Sequence, residues 1–233
     1  MIPGRILDIL FPPKCPFCKE ILEESLPVCH NCLEELSFIE ADSQCRICGR
    51  PLGEYSYHTC GDCRDRKKYF IHSFTPLIYK DIARDGAIAF KTSHPYYAKA
   101  FAYLLADRIL SSEFYVPFDS ITYVPQSRRS LKKRGYNQSK LIAQELAKIL
   151  KVPCISTLKR TNDGEAQHTL SAEKRRENVK KCFFRTDMQG SGTVLLVDDI
   201  YTTGATANYC SRLLKEMGFE KVYLAIALIR DTE

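Results

Sequence analysis

Two neighbouring carboxylates, Asp198 and Asp199, stand between four aliphatic residues, Val194–Val197, and a small-residue turn, Thr202-Thr203-Gly204-Ala205-Thr206. The aliphatic run is too short for a helix core and lacks polar alternation, the pattern of a central parallel strand covered on both faces. Beyond the turn, Cys210, Leu213, Leu214 and Met217 recur at helical spacing until Gly218, so a helix is expected to begin at the turn and end at that glycine. Strand, turn and helix together aim unpaired backbone N–H groups and the positive end of a helix dipole at one point, which suits a phosphate. Thr202, Thr203 and Thr206 can add hydroxyl donors, and Gly204 lets the backbone come close to a ligand. Two carboxylates would repel a bare phosphate. A ribose 5-phosphate is different, because its vicinal hydroxyls donate to the carboxylates while its phosphate takes the turn. The bland alternative is an ordinary strand-to-helix turn in which Asp199 or Thr202 caps the helix.

Eight of the 11 cysteines fall before residue 64 as four CxxC pairs: Cys15/Cys18, Cys29/Cys32, Cys45/Cys48 and Cys60/Cys63. In a reducing compartment such pairs bind metal rather than form disulfides. Two thiolates two residues apart reach one tetrahedral zinc, and two pairs complete a four-cysteine site with no open position, structural rather than catalytic. Sequential use of the pairs closes loops of ten and eleven residues. A cross-braced use, first pair with third, is the alternative that spacing leaves open. Gly49 follows the third pair, where a knuckle can turn tightly enough for N–H groups to face sulfur. His30 and His58 lie nearby, but eight sulfurs fill two sites without them. CxxC redox chemistry would need one exposed, easily ionised pair rather than four. With so few aliphatic residues, this region depends on its metal to hold together.

The elements that must position these groups follow from the rest of the chain. Its 233 residues, 45% hydrophobic and with a net charge of +6, suffice for one large or two modest domains with a real core. We expect a zinc-ribbon domain over 1–68 and an α/β domain over 69–233. No apolar run is long enough to span a bilayer. The N-terminus carries Asp8 inside its only apolar patch and has no small-residue cleavage site. It therefore reads as a short helix over 6–10 rather than a secretory signal, and the expected location is the cytoplasm. After a charged hinge at 64–70, strands are expected at 71–79, 120–124, 153–158, 194–197 and 222–229. Helices are expected at 80–91, with Ile82, Ile88 and Ala89 inward, at 96–110, and at 138–150, with Leu141, Ile142, Leu146, Ile149 and Leu150 on one side. Such alternation implies a parallel sheet with helices on both faces.

In a sheet of this kind ligands bind beyond the carboxyl ends of the strands, where 125–136, 160–181 and 198–206 all fall. The first of these supplies Arg128, Arg129, Lys132, Lys133 and Arg134 between a strand and a helix. The second carries Gln167, Leu170, Arg175 and Asn178 in a QxxLxxxxRxxN pattern, with Arg176 as a further cation. Charged loops are often merely solvated, and Glu173, Arg176 and Glu177 could be plain helix-surface partners. Beside a phosphate turn, both segments acquire a role as anion donors.

The stretch VLLVDDIYTTGAT (194–206) resembles the motif with which type I phosphoribosyltransferases bind 5-phosphoribosyl 1-pyrophosphate (PRPP). That resemblance implies that Asp198 and Asp199 hold the ribose, and that Thr202, Thr203, Gly204, Ala205 and Thr206 hold the 5-phosphate. It puts Gln126, Ser127, Arg128 and Arg134 in the pyrophosphate loop, and Arg175 and Arg176 in a mobile catalytic loop. It also implies Mg²⁺ bridging pyrophosphate and ribose oxygens. Together with the four CxxC pairs, VPQSRRSLKKRGYNQ (124–138) and QHTLSAEKRRENV (167–179), the chain as a whole resembles the ComF family, specifically ComFC-like competence proteins. These couple a double zinc ribbon to a type I phosphoribosyltransferase-like domain. The family implies a role in natural transformation on incoming single-stranded DNA, with a competence helicase as partner, and leaves catalytic activity and acceptor open.

Two functions are therefore expected. One is an enzyme transferring phosphoribose from PRPP, in its plainest form to a small base or nucleotide with no DNA role. The other is a nucleic-acid-binding factor that keeps the PRPP site for regulation or for gripping a 5-phosphorylated nucleotide. For the latter, Tyr69 and Phe70 beside Lys67 and Lys68, with Tyr136, Phe183 and Phe184 near the basic segments, combine charge with stacking faces. Core packing is the better account of Phe183 and Phe184.

Overall fold

The computed structural model of the chain describes residues 12–22, 26–53, 58–92, 94–161 and 179–230. The expected helix at 6–10 and the QxxLxxxxRxxN pattern lie outside them. In chain order the elements are α1 (His30–Glu35), α2 (Gly61–Asp65), β1 (Ser73–Phe74), β2 (Leu77–Ile78), α3 (Asp81–Thr92) and, after a 3-10 turn at Pro95–Tyr97, α4 (Ala98–Leu110). There follow β3 (Ser120–Tyr123), α5 (Arg128–Arg134), α6 (Gln138–Leu150), β4 (Leu158–Arg160), β5 (Phe183–Arg185), β6 (Thr193–Tyr201), α7 (Ala205–Glu216) and β7 (Lys221–Ile229).

The sheet is parallel throughout, in the order β1-β7-β6-β3, with β2 also on β7. Its two central strands are β6 and β7, and their apolar runs, Val194–Val197 and Val222–Ile229, are buried on both faces. Strand periodicity sorts their side chains. Leu195, Val197, Tyr223, Ala225 and Ala227 pack with α3, α4 and α6. Val194, Leu196, Val222, Leu224 and Ile226 pack with Cys210, Leu213 and Leu214 of α7 on the opposite face. Helices thus cover both faces, as expected.

Three expectations need correction. The strand over 71–79 is interrupted at Thr75-Pro76, because proline has no N–H to give the ladder. The segment at 153–158 is not one strand: Cys154 makes a single bridge to Ile121, and the pairing begins only at Leu158, antiparallel to β5. On α3 the buried residues are Ala83, Gly86, Ala87 and Phe90, whereas Ile88 is exposed. Small residues line that face, and α3 packs there beside Phe17 and the first cysteine set.

The cysteine-rich region is a twofold repeat. At each knuckle a cysteine N–H donates to the carbonyl five residues on, Cys15 to Glu20 at 2.9 Å and Cys45 to Arg50 at 2.8 Å. The residue after each pair, Lys19 or Gly49, is left-handed. Only the second position requires glycine, since a Cβ there would lie 2.7 Å from the Ser73 carbonyl oxygen of β1. The short helices α1 and α2 start just after Cys29 and Cys60. Cys15 and Cys32 join the core of one sheet face, and Cys45, Cys48 and Cys63 join the other. Between them, residues 37–39 run along β2: Ile78 N donates to Ser37 O at 3.0 Å and Ile39 N to Pro76 O at 2.9 Å. The sheet edge is thereby covered rather than left open to another chain. No helix among the described residues is long and apolar enough to cross a membrane.

Candidate functional site

β6 outruns its neighbour. Tyr123 pairs with Val197, and there β3 stops, while β6 continues to Tyr201 against Ile229 of β7. Asp198 and Asp199 therefore belong to the strand itself, on a ledge that β7 borders and β3 does not. Such an overhang at the carboxyl end of a parallel strand is where open α/β sheets receive ligands. The first turn of α6 and the last turn of α3 reach the ledge. Ser139 Oγ donates to Asp198 Oδ1 at 2.9 Å, and Lys91 Nζ lies 3.3 Å from Asp199 Oδ2. Asp198 Oδ1 also accepts the Asp199 N–H at 3.0 Å.

The bonds from Ser139 and the Asp199 N–H favour the ionised form of Asp198, but they are outweighed. Burial, then the neighbouring Asp199, push the Asp198 carboxyl up to about 8. At neutral pH Asp198 is a carboxylic acid, and Asp199 is ion-paired with Lys91. The ledge is thus far less negative than two adjacent aspartates suggest, and an anion can sit beside it.

The turn after β6 is shaped by sterics. Gly204 caps α7 with φ +71°, and a Cβ there would fall 2.0 Å from the hydroxyl of Tyr201, buried beneath. The first helical bond runs from Asn208 N to Gly204 O at 2.8 Å, so the N–H groups of the preceding turn have no intrahelical acceptor. Ala205 N reaches Thr203 Oγ1 only at 3.5 Å. Beside the turn lies a cavity of about 160 Å³, lined by Thr203, Gly204 and Ala205 together with Lys68, Tyr69 and Arg212. Asn208 ties this wall to the hinge before β1, taking the Tyr69 N–H at 2.9 Å and donating to Lys67 O at 3.1 Å.

The basic segment after β3 is a helix rather than a loop. Ser127 caps α5, accepting Ser130 N at 3.2 Å, and left-handed Gly135 ends it. Arg128, Arg129, Lys132 and Lys133 are exposed, and Arg134 donates to Gln138 Oε1 at 3.2 Å. Gln126 donates to the same oxygen, yet its own Oε1 and the Gln138 Nε2 are buried with no partner. Unsatisfied buried polar atoms are costly and call for an occupant. β4 and β5 form a separate two-stranded ribbon beside the sheet. The segment joining them contains Arg175 and Arg176, which lie outside the described residues.

Each cysteine set gathers its four sulfurs within 4.8 Å of one another, Cys15, Cys18, Cys29 and Cys32 in one and Cys45, Cys48, Cys60 and Cys63 in the other. The pairs are used sequentially, not cross-braced. Sγ–Sγ distances of 3.6 Å (Cys18–Cys29) and 3.7 Å (Cys48–Cys60) match the roughly 3.8 Å edge of a zinc–sulfur tetrahedron with bonds of about 2.3 Å. Both sets fit structural zinc, with no position left for water or substrate.

Sequence reasoning did not find Lys91, Ser139 or Asn137. The first two act across the fold, and nothing local marks them. Asn137 could have been found as an N-cap: it accepts Lys140 N at 3.1 Å while its amide holds the Val124 carbonyl at 3.0 Å, fixing α6 to the end of β3. Phe183 is buried as expected, but Phe184 is exposed, because β5 presents alternate faces.

Residues 6–64 match the family described as a double zinc ribbon domain. The chain is 28% identical over 213 residues to competence protein F of Haemophilus influenzae, covering 84% of this chain and 87% of that protein. It is 28% identical over 232 residues to competence protein ComFC of Bacillus subtilis, covering 91% and 87%. It is 31% identical over 219 residues to the DNA utilization protein YhgH of Salmonella typhi, covering 89% and 92%. Among solved structures, adenine phosphoribosyltransferase from Leishmania tarentolae is similar at 14% identity over 62% of this chain and 75% of that one, with a TM-score of 0.36, too coarse a likeness to argue from. Similarity along about nine-tenths of both chains, with the double zinc ribbon match at 6–64, makes this chain a member of the ComF family, with a double zinc ribbon ahead of a parallel α/β domain.

Proposed function

We propose that this protein binds PRPP with Mg²⁺ on the β6 ledge and uses that site in handling incoming single-stranded DNA in the cytoplasm during natural transformation. The observation that carries this reading is the placement of Asp198, held by Ser139, and Asp199, held by Lys91, one step before a glycine turn that opens a helix at the end of the same strand. Asp198 and Asp199 take the ribose hydroxyls, and Thr202 to Thr206 take the 5-phosphate. Gln126, Ser127, Arg128 and Arg134 receive the pyrophosphate, where the unpartnered Gln138 Nε2 is a donor for an anion's oxygen. Arg175 and Arg176 add charge over it. Mg²⁺ bound with the substrate would neutralise pyrophosphate oxygens. The supported reaction is phosphoribosyl transfer, driven by positioning and by stabilising the separating charges rather than by a protein nucleophile.

For DNA, the support is the wall beside the turn, where Lys67 Nζ stands 5.1 Å from the Tyr69 ring and Lys68 and Arg212 line the adjoining cavity. Charge beside an aromatic face suits single strands. A DNA-translocating helicase is the partner this role calls for. The second reading, transfer to a small base with no DNA role, is favoured by the His94–Tyr96–Tyr97 cluster that follows Lys91, with ring centroids 4.7–5.5 Å apart. Calorimetric titration with Mg-PRPP tests the site: the Asp198→Asn/Asp199→Asn double variant should lose binding while staying folded, and unchanged affinity would refute the ribose assignment. Pyrophosphate release from labelled PRPP with bases, nucleotides or single-stranded DNA separates the two readings. DNA binding should weaken steeply with salt and on neutralising Arg128, Arg129, Lys132 and Lys133, and salt-independent binding would remove the DNA role.

A further inference from the structure

The second zinc ribbon touches the phosphate turn itself. Arg50 leaves the knuckle of Cys45 and Cys48, its own carbonyl taking the Cys45 N–H at 2.8 Å. Its Nη2 then donates at 3.0 Å to the carbonyl of Thr202, 152 residues further along the chain. Thr202 lies between Tyr201, buried and packed under Gly204, and Thr203, which lines the cavity at the start of α7. A trans peptide is planar, with C=O and N–H pointing in opposite directions. Holding the Thr202 oxygen toward the ribbon therefore turns the Thr203 N–H away from it.

We propose that Arg50 is a positioning residue of the 5-phosphate subsite: it fixes the 202–203 peptide so that the Thr203 N–H serves the phosphate. The proposal rests on the PRPP reading above, and it makes the second ribbon part of the ligand site. Its knuckle sets where Arg50 starts, and the left-handed Gly49 seats that knuckle against β1.

The test uses the full chain with zinc and three probes in Mg²⁺: PRPP, ribose 5-phosphate and inorganic pyrophosphate. Arg50→Met keeps the stem and removes the donors. Affinity for PRPP and ribose 5-phosphate should fall about tenfold or more, the scale of a lost charge-assisted bond and a misaligned donor. Pyrophosphate, held at the far end, should bind as before, and zinc content should stay unchanged. Arg50→Lys, which restores one donor, should recover part of the loss. If Arg50→Met fails to fold, Arg50→Lys decides alone: its affinity for ribose 5-phosphate should fall measurably while pyrophosphate binding holds. Equal losses for all three probes, or none, would overturn the proposal. If the wild type binds neither PRPP nor ribose 5-phosphate, the PRPP reading itself fails, a result distinct from an insensitive Arg50 variant.

Discussion

Replacing Asp198 with asparagine isolates the electrostatics of the ledge. In the wild type, burial and the neighbouring Asp199 raise this carboxyl from the usual 3.8 to about 8. A carboxyl whose folded value lies above its unfolded value keeps its proton in the folded chain after the unfolded chain has lost it. The folded state then binds more protons, so stability falls as pH rises from about 4 to about 8 and is flat beyond. At about 1.4 kcal/mol per pH unit, the span from about pH 5 to pH 8.5 has a ceiling near 4 kcal/mol. Asp198 keeps some solvent contact, which we allow for by halving the figure to about 2 kcal/mol. Asparagine cannot ionise, yet it retains Oδ1 and with it the bonds from Ser139 and the Asp199 N–H. The variant's melting temperature should therefore gain on the wild type by about 4–8 °C across that span, for a chain of this size. Calorimetric melts of both proteins in zinc-containing buffers at several pH values measure the gap, and comparing them cancels the other titrating groups. Parallel curves would mean that Asp198 is ionised throughout, and the weakly charged ledge would be wrong.

Metal analysis should return two zinc ions per chain, and stripping them with a chelator should lower the melting temperature sharply; one ion or none would overturn the assignment of both cysteine sets. Gly204→Ala puts a Cβ into the Tyr201 hydroxyl at a left-handed position, so it should cost about 1–3 kcal/mol and weaken PRPP binding; an unaltered melt would show that the turn is not sterically fixed. Lys91→Met leaves Asp199 without the ammonium 3.3 Å away and should weaken Mg-PRPP binding several-fold with a stability change of only about 1 kcal/mol. Tighter binding in that variant would mean that Lys91 blocks the ledge rather than balancing it.

Local pattern carried much of this architecture. The central strand, the small-residue turn and the helix beyond it follow from hydrophobic spacing and one glycine, and the sulfur ligands follow from four short repeats. The pairing of those repeats did not, because spacing alone admits both uses; the second knuckle's seat against Ser73 is a contact between distant segments. The inward face of α3 was misjudged for a related reason. Isoleucine is more apolar than alanine, but the first ribbon needs close approach, so the small residues turn inward. The ledge exists because β3 stops at Tyr123, a length that depends on where the chain must leave for α5. The partners that set its charge, Lys91 and Ser139, come from other helices, so no window of sequence around Asp198 contains them.

The placement of the two cysteine clusters on opposite sides of one sheet edge has a consequence for a cell short of zinc. Each cysteine set belongs to a different core, and only the second adjoins Arg50 and Tyr201. A chain without zinc in the first set would loosen beneath α3 and α4 with the 202–206 turn still braced, whereas loss from the second would slacken the turn while most of the sheet stood.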